Sequence, residues 1–402
     1  GFTASAGEGY FVDTSSGAIS VNLPAGTAGA IVGIADYAKN FGTAAVTLVQ
    51  NGSDKIGGST VNAILDVDGL AVSLVFVDST KGWIVTDSGN ATDAPTAEFV
   101  SATGGTVTTV CTNFKVHTFT GPGNFIVSNA GNAAGSNKVD YLVVAGGGSG
   151  GCGGTSDNGG GGGAGGYRES HCSSVSGPYT ASPLATPASI TVTAQTYPIV
   201  VGGGGAGGQP KQGAAGSVSS GLGISSAGGG GGAANATSPG YCSPANGDGG
   251  SGGGGRGGGG VPGAGGNGNT PSVSPPQGNN GGSGAVGNSP DAQAGGGGGA
   301  TAVGGNANAS VGGPGGAGAT TSITASPVAY AGGGGGGAGP PTPNGNRAPG
   351  GTGGGGQGGA GGGGCASAGS VNTGGGGGGA SPATNSAAAG GSGIVIIRYK
   401  FQ

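Results

Sequence analysis

Gly249-Gly-Ser-Gly-Gly-Gly-Gly-Arg-Gly-Gly-Gly-Gly260 is one of a series of glycine blocks running from Gly146 to Gly393, and the reading of those blocks decides the fold. Gly159–Gly163, Gly202–Gly208, Gly332–Gly337 and Gly374–Gly379 are further examples. Two readings compete. Glycine loses the most conformational entropy on ordering, so a Gly/Ser/Ala-rich chain is by default a flexible linker. Against that, the interruptions carry apolar and turn residues such as Tyr241, Tyr330, Val303 and Ile323, which a linker does not need. The blocks recur about every 15–25 residues, as in a stacked array. The excursion also returns to a strongly apolar strand, Ile394-Val-Ile-Ile397.

Glycine blocks can order as extended helices with three residues per turn and no internal hydrogen bonds. Every backbone N–H and C=O must then find its partner on a neighbouring helix, and only glycine lets backbones approach that closely from all sides. Nine residues span about 28 Å at ~3.1 Å per residue. A collagen triple helix is not expected, because the block around Gly249 has no strict Gly-X-Y register.

Composition narrows the function. The 402 residues include 113 Gly and 22 Pro, together about a third of the chain, above the usual low-complexity threshold. Only 6% of residues are charged and the net charge is −4, which argues against binding nucleic acid through basic patches. Between Gly213 and Val395 the only charged side chains are Asp248, Arg256, Asp291 and Arg347. A disordered segment usually stays soluble through charge, so this scarcity favours packing. The chain has no Met, which leads us to expect a fragment or processed product. No run of 18 apolar residues is present, and no membrane span is expected. The five cysteines, Cys111, Cys152, Cys172, Cys242 and Cys365, form no C-x-x-C pair. They read as free thiols, with Cys152–Cys172 the one pairing to test.

The flanks read as β structure without helical periodicity. Ile19–Leu23, Val46–Leu48 and Val72–Phe76 alternate apolar and polar residues, separated by turn signals such as Asn51-Gly52 and Asp68-Gly69. The only Trp, Trp83, either plugs the end of a small sandwich or offers a sugar-stacking platform. Strands are expected at Val107–Val110, Phe114–Phe119, Asn124–Val127, Val139–Ala145, Ile190–Thr193 and Tyr197–Val201. Gly393–Phe401 mirrors Val139–Ala145, and the two should share a sheet. The expected fold is therefore all-β with essentially no α-helix. An N-terminal β-sandwich occupies residues 1–95 and a second β frame 96–145. A polyglycine II array fills 146–392, with strands at 190–201, and 393–402 is the closing strand.

Tyr10–Pro24, Asn51–Ile56, Phe114–Gly123, Asp140–Gly148, Gly163–Arg168 and Gly391–Tyr399 together resemble the glycine-rich structural proteins of tailed bacteriophages, especially marine and cyanobacterial ones. The array is also similar in architecture to T-even-like phage adhesins, whose sandwiched polyglycine helices carry variable tip loops. The resemblance implies a tail-fibre or tip protein on the virion. Its inter-block loops would contact a host glycan or outer-membrane protein, beside other fibre subunits; the resemblance leaves a trimer, a homopolymer or a single copy open.

Glycine runs contain phosphate-loop-like spacings, but no Gly-Lys-Ser/Thr and no βαβ context. His117 and His171 lie far apart in sequence and read as structural. Asp66 and Asp68 suit a calcium pair or a glycosidase carboxylate, yet Asp68-Gly69 reads more simply as a hairpin turn. We expect no enzyme, no metal and no cofactor. Candidate receptor-contacting residues are Tyr179, Tyr241, Tyr330 and Arg347, which sit between blocks; the competing reading is that each Tyr caps the end of the array. A structural fibre whose copies join by strand addition is the alternative function.

Overall fold

The computed structural model describes residues 1–88, 97–154, 157–208, 212–234, 247–258, 263–285, 292–339, 347–382 and 386–402. Within them the protein is all-β, apart from one four-residue helix, α1 (Ser173–Ser176). The chain divides into two compact units. The first comprises Gly1–Ser101, Asn129–Asn137 and Phe401–Gln402; the second comprises Ala102–Ser128 and Lys138–Lys400.

The first unit contains β1 (Phe2–Thr3), β2 (Glu8–Val12), β3 (Ile19–Asn22), β4 (Ile31–Asp36), β5 (Val46–Val49), β6 (Ala63–Leu65), β7 (Ala71–Phe76) and β8 (Trp83–Val85). Two sheets form, ordered β1-β3-β5-β6 and β2-β4-β7-β8. The first five strands alternate between the sheets, so neighbours within a sheet, such as β3 and β5, run parallel. Alternation in sequence becomes alternation of burial. Val32, Ile34, Val72 and Leu74 face a core shared with Leu23, Phe41, Leu48 and Leu65. Trp83 has no exposed surface and meets Phe76 edge-on at 5.6 Å between ring centroids. It is a core plug, and its burial removes the sugar-stacking alternative. Asp68 acts in a turn: its Oδ1 accepts the Gly42 N–H at 2.7 Å, and Gly69 beside it has φ +75°.

Along the rest of the chain follow β9 (Val100–Thr103), β10 (Thr106–Val110), β11 (Phe114–Phe119), β12 (Gly123–Ala130), β13 (Lys138–Val144), β14 (Tyr167–Ser170), β15 (Ala185–Thr186), β16 (Ile190–Thr191) and β17 (Thr196–Ile199). Then come β18 (Ser219–Gly221), β19 (Ile224–Ser226), β20 (Ala319–Thr321), β21 (Val328–Tyr330) and β22 (Ile394–Lys400). The main sheet is ordered β10-β11-β22-β13-β14-β15. The two apolar strands expected to meet do so: β13 and β22 pair antiparallel, from Asp140 opposite Arg398 to Val144 opposite Ile394. The turn at Gly121-Pro122-Gly123 does not make a hairpin, because β12 leaves this sheet to pair with β17.

From Ala145 onward the chain becomes a lattice of glycine rods. Residues 159–166 show how it is built. N–H groups of 159, 162 and 165 donate to the carbonyls of Ala380, Gly377 and Gly374. Those of 160, 163 and 166 donate to Ala233, Gly230 and Ala227, and those of 161 and 164 to Gly295 and Gly298. Their carbonyls accept from three more rods, through Gly148 and Gly151, Ser251 and Gly254, and Gly334 and Gly337. One rod thus has six hydrogen-bonded neighbours at 2.7–3.0 Å. A step of three residues returns to the same neighbour because the extended glycine helix has three residues per turn.

Rods at the lattice surface obey a thinner rule. In 202–208, Gly202 and Gly205 are buried while Gly203 and Ala206 are exposed. A Cβ on Gly202 or Gly205 would lie 2.0 and 2.1 Å from the carbonyl oxygens of Ser217 and Ala214. One on Gly203 would meet nothing within 4 Å. Gly204, at the third position, faces the Gly390 carbonyl at 2.0 Å. An inner rod therefore needs glycine wherever its Cβ direction meets a neighbour, and a surface rod only at the two positions in three that turn inward.

Candidate functional site

The rods alternate in direction, which sorts their connections to two ends. At the end nearest the sheet, Ala145 N–H donates to Gly166, Gly165 to Gly374, Gly374 to Ser392 and Gly393 to Gly202. Two turns further on, Gly151 donates to Gly160, Gly159 to Ala380, Gly160 to Ala233, Ala233 to Gly254 and Gly337 to Gly159. This remote level is where the rods flanking 152–158, 235–246, 259–262, 340–346 and 383–385 terminate. The near-end connections include the hairpins β18-β19 and β20-β21. The second packs on the sheet, where Ile323 and Tyr330 share a core with Leu142, Val144, Ile394 and Ile396.

This sorting separates the four candidate residues. Tyr330 is 4% exposed at the near end, and burial with the nearby Glu169 charge pushes its phenol up to about 12. It belongs to the core, because the hairpin that carries it turns toward the sheet. Tyr179 is half-buried, also at the near end, between the His171 ring at 4.2 Å and the Arg398 guanidinium at 4.7 Å. Arg347 starts a rod at the remote end and is partly exposed, but its Nε donates to Gly358 O at 2.9 Å and its Nη2 to Cys365 O. Tyr241 lies outside the described residues. The remote end also holds Asp157, whose carboxyl is pushed up by burial against the opposing pull of Arg256. No disulfide joins Cys152 to Cys172.

The polar node that sequence reasoning missed lies at the near end. Buried Asp140 accepts the hydroxyls of Ser170, Ser176 and Ser189 at 2.8, 2.6 and 2.7 Å and the Cys172 N–H at 2.7 Å. Glu169, also buried, accepts Tyr167 Oη and Thr321 Oγ1, each at 2.6 Å, and so ties β14 to the β20 hairpin. Arg398, opposite Asp140 in the sheet, donates through Nη1 to Ile323 O at 2.9 Å. Charged residues inside otherwise continuous apolar strands were the available signal. Donor-saturated carboxylates suit clamping rather than proton transfer, and His117 engages both ring nitrogens, with Gly104 O and Tyr399 Oη. Among the described residues no group of three metal-binding side chains occurs, and no helix is long and apolar enough to cross a membrane.

Asp140→Ala strands four donors at once. It should lower the stability of the second unit by about 3 kcal/mol or more, read as a shifted urea midpoint, while Asp140→Asn recovers part of the loss.

A family model for a glycine-rich domain matches residues 120–400, from the end of β11 through the lattice to β22. The chain belongs to this glycine-rich domain family. A comparison with curated proteins finds no matching relative. In this glycine-rich domain, the matched stretch takes in the rods, both hairpins and the closing strand.

Proposed function

We propose that the chain is a non-catalytic structural protein of a tailed-phage virion, a tail fibre or tip adhesin. Its inter-rod connections bind a host cell-surface glycan or outer-membrane protein. The observation that carries this reading is the gathering of rod ends at the level remote from the sheet. A lattice cross-linked in six directions is a stiff base for short connections that tolerate sequence change, and binding usually lives in such connections. The resemblance of the flanking motifs to phage glycine-rich proteins supports the virion as its location.

A second reading, a subunit of a self-assembling virion or extracellular fibre, draws on β10. This strand forms one edge of the main sheet, and Thr106–Thr109 are exposed, the condition for strand addition.

Replacing residues 235–246 with a Gly/Ser segment of equal length should abolish adsorption of the purified protein to host cells without changing its melting temperature. Adsorption that survives this and equivalent replacements at the other remote-end connections would overturn the adhesin reading. Long filaments with a regular repeat in images of the purified chain would favour the fibre.

A further inference from the structure

The outward face of the β2-β4-β7-β8 sheet lacks the polar side chains that a water-facing antiparallel sheet usually carries. Phe11, Ala35 and Ala71 form one row across β2, β4 and β7, and Gly9, Gly33 and Ser73 form the next. Beyond them Ile31, 49% exposed, stands opposite Val75. Phe11 is 80% exposed, the largest value among the exposed large hydrophobic residues described. Beside it the glycine row opens a trough of about 260 Å³, lined by both rows and bounded by Asp87. One face therefore carries a projecting ring and, one row away, a bare socket.

We propose that this face is a twofold interface between copies of the chain. Phe11 of each protomer enters the other's trough over Gly9, Gly33 and Ser73. A twofold contact needs a self-complementary patch, and a knob and its socket on adjacent rows provide one. A second chain adding by strand pairing would use a sheet edge, not this face. An oligosaccharide would find Ser73 and Asp87 as polar side chains in the trough, the hydroxyl of Tyr10 being engaged with the Ser5 N–H and Glu8. This inference concerns the first unit and stands independently of the function proposed for the glycine lattice.

Two substitutions test it on the full chain by sedimentation velocity over a concentration series. The unaltered protein should sediment at twice the 35.9 kDa chain mass. Phe11→Asp should weaken self-association by about tenfold or more. Gly9→Leu separates a fitted socket from general stickiness. A Cβ at Gly9 meets nothing within 4 Å, so the new side chain fills the trough without disturbing its own protomer. Although it adds apolar surface, it should also weaken the dimer. Circular dichroism melting checks that both variants fold. A monomer throughout the concentration series, an oligomer indifferent to both substitutions, or stronger association of Gly9→Leu would each overturn the proposal.

Discussion

Gly161→Ala should cost the second unit more than about 4 kcal/mol, an exceptional loss for one added methyl group. The new Cβ would lie 2.1 Å from the Gly334 carbonyl oxygen. Gly334 cannot step aside, because its own N–H donates to Gly162 O and its carbonyl accepts from Gly297. Moving it pulls on the substituted rod itself through Gly162 and shifts the rod of Gly297 as well. Overpacking costs about 1–3 kcal/mol where a core can relax, and each disrupted lattice hydrogen bond adds about 1 kcal/mol. Gly203→Ala is the matched control. It lies in a surface rod with nothing near its Cβ direction, and a more restricted unfolded chain should make it neutral or about 0.4–1 kcal/mol stabilising. Urea denaturation of both variants decides the matter. Equal effects would mean that the rods do not pack as described.

High pH should unfold the same unit steeply. Burial pushes Tyr399 up to about 12, and burial with the Glu169 charge does the same to Tyr330. Burial raises Tyr167 and Tyr179 too. An unfolded tyrosine ionises near pH ~10. The folded phenols stay protonated above that, so the unfolded chain releases protons that the native state retains. Stability is therefore complete below pH ~10 and falls as pH rises, by about 1.4 kcal/mol per pH unit for each such tyrosine. By pH ~12 Tyr330 and Tyr399 alone remove about 5 kcal/mol, comparable with the whole stability of many domains. Phenolate absorbance and near-ultraviolet circular dichroism, followed together against pH, should show these tyrosines ionising in one step with loss of structure. A smooth, complete titration with native dichroism intact would refute the burial assigned to them.

The β framework was legible because strand patterns are local. Ile19–Leu23 and Val72–Phe76 alternate in sequence and in burial, and the near-continuous apolar runs at 139–145 and 394–397 lie where only a doubly covered strand fits. Tyr330 and Arg347 looked equivalent, as polar-tipped side chains between glycine blocks. The structure sends one to the sheet end and keeps the other at the remote end. Counting rod reversals from Ala145 would have separated them, but the sequence does not say where each rod begins. The buried node fared similarly. Asp140 and Arg398 stand out within their strands, whereas their partners Ser189 and Ile323 are distant in sequence and unremarkable in type.

By itself the sequence determined that the chain is all-β at its flanks and glycine-built between them, and that Val139–Ala145 and the C-terminal strand belong together. Tertiary structure alone decided which rods are inner and which outer, and with that which glycines are irreplaceable. Gly161 and Gly203 are the same residue in similar surroundings along the chain, yet one faces the Gly334 carbonyl and the other open space. A three-residue extended helix makes no hydrogen bond within itself, so every bond that defines a rod goes to a segment far away in sequence. Only the assembled lattice says which segment that is.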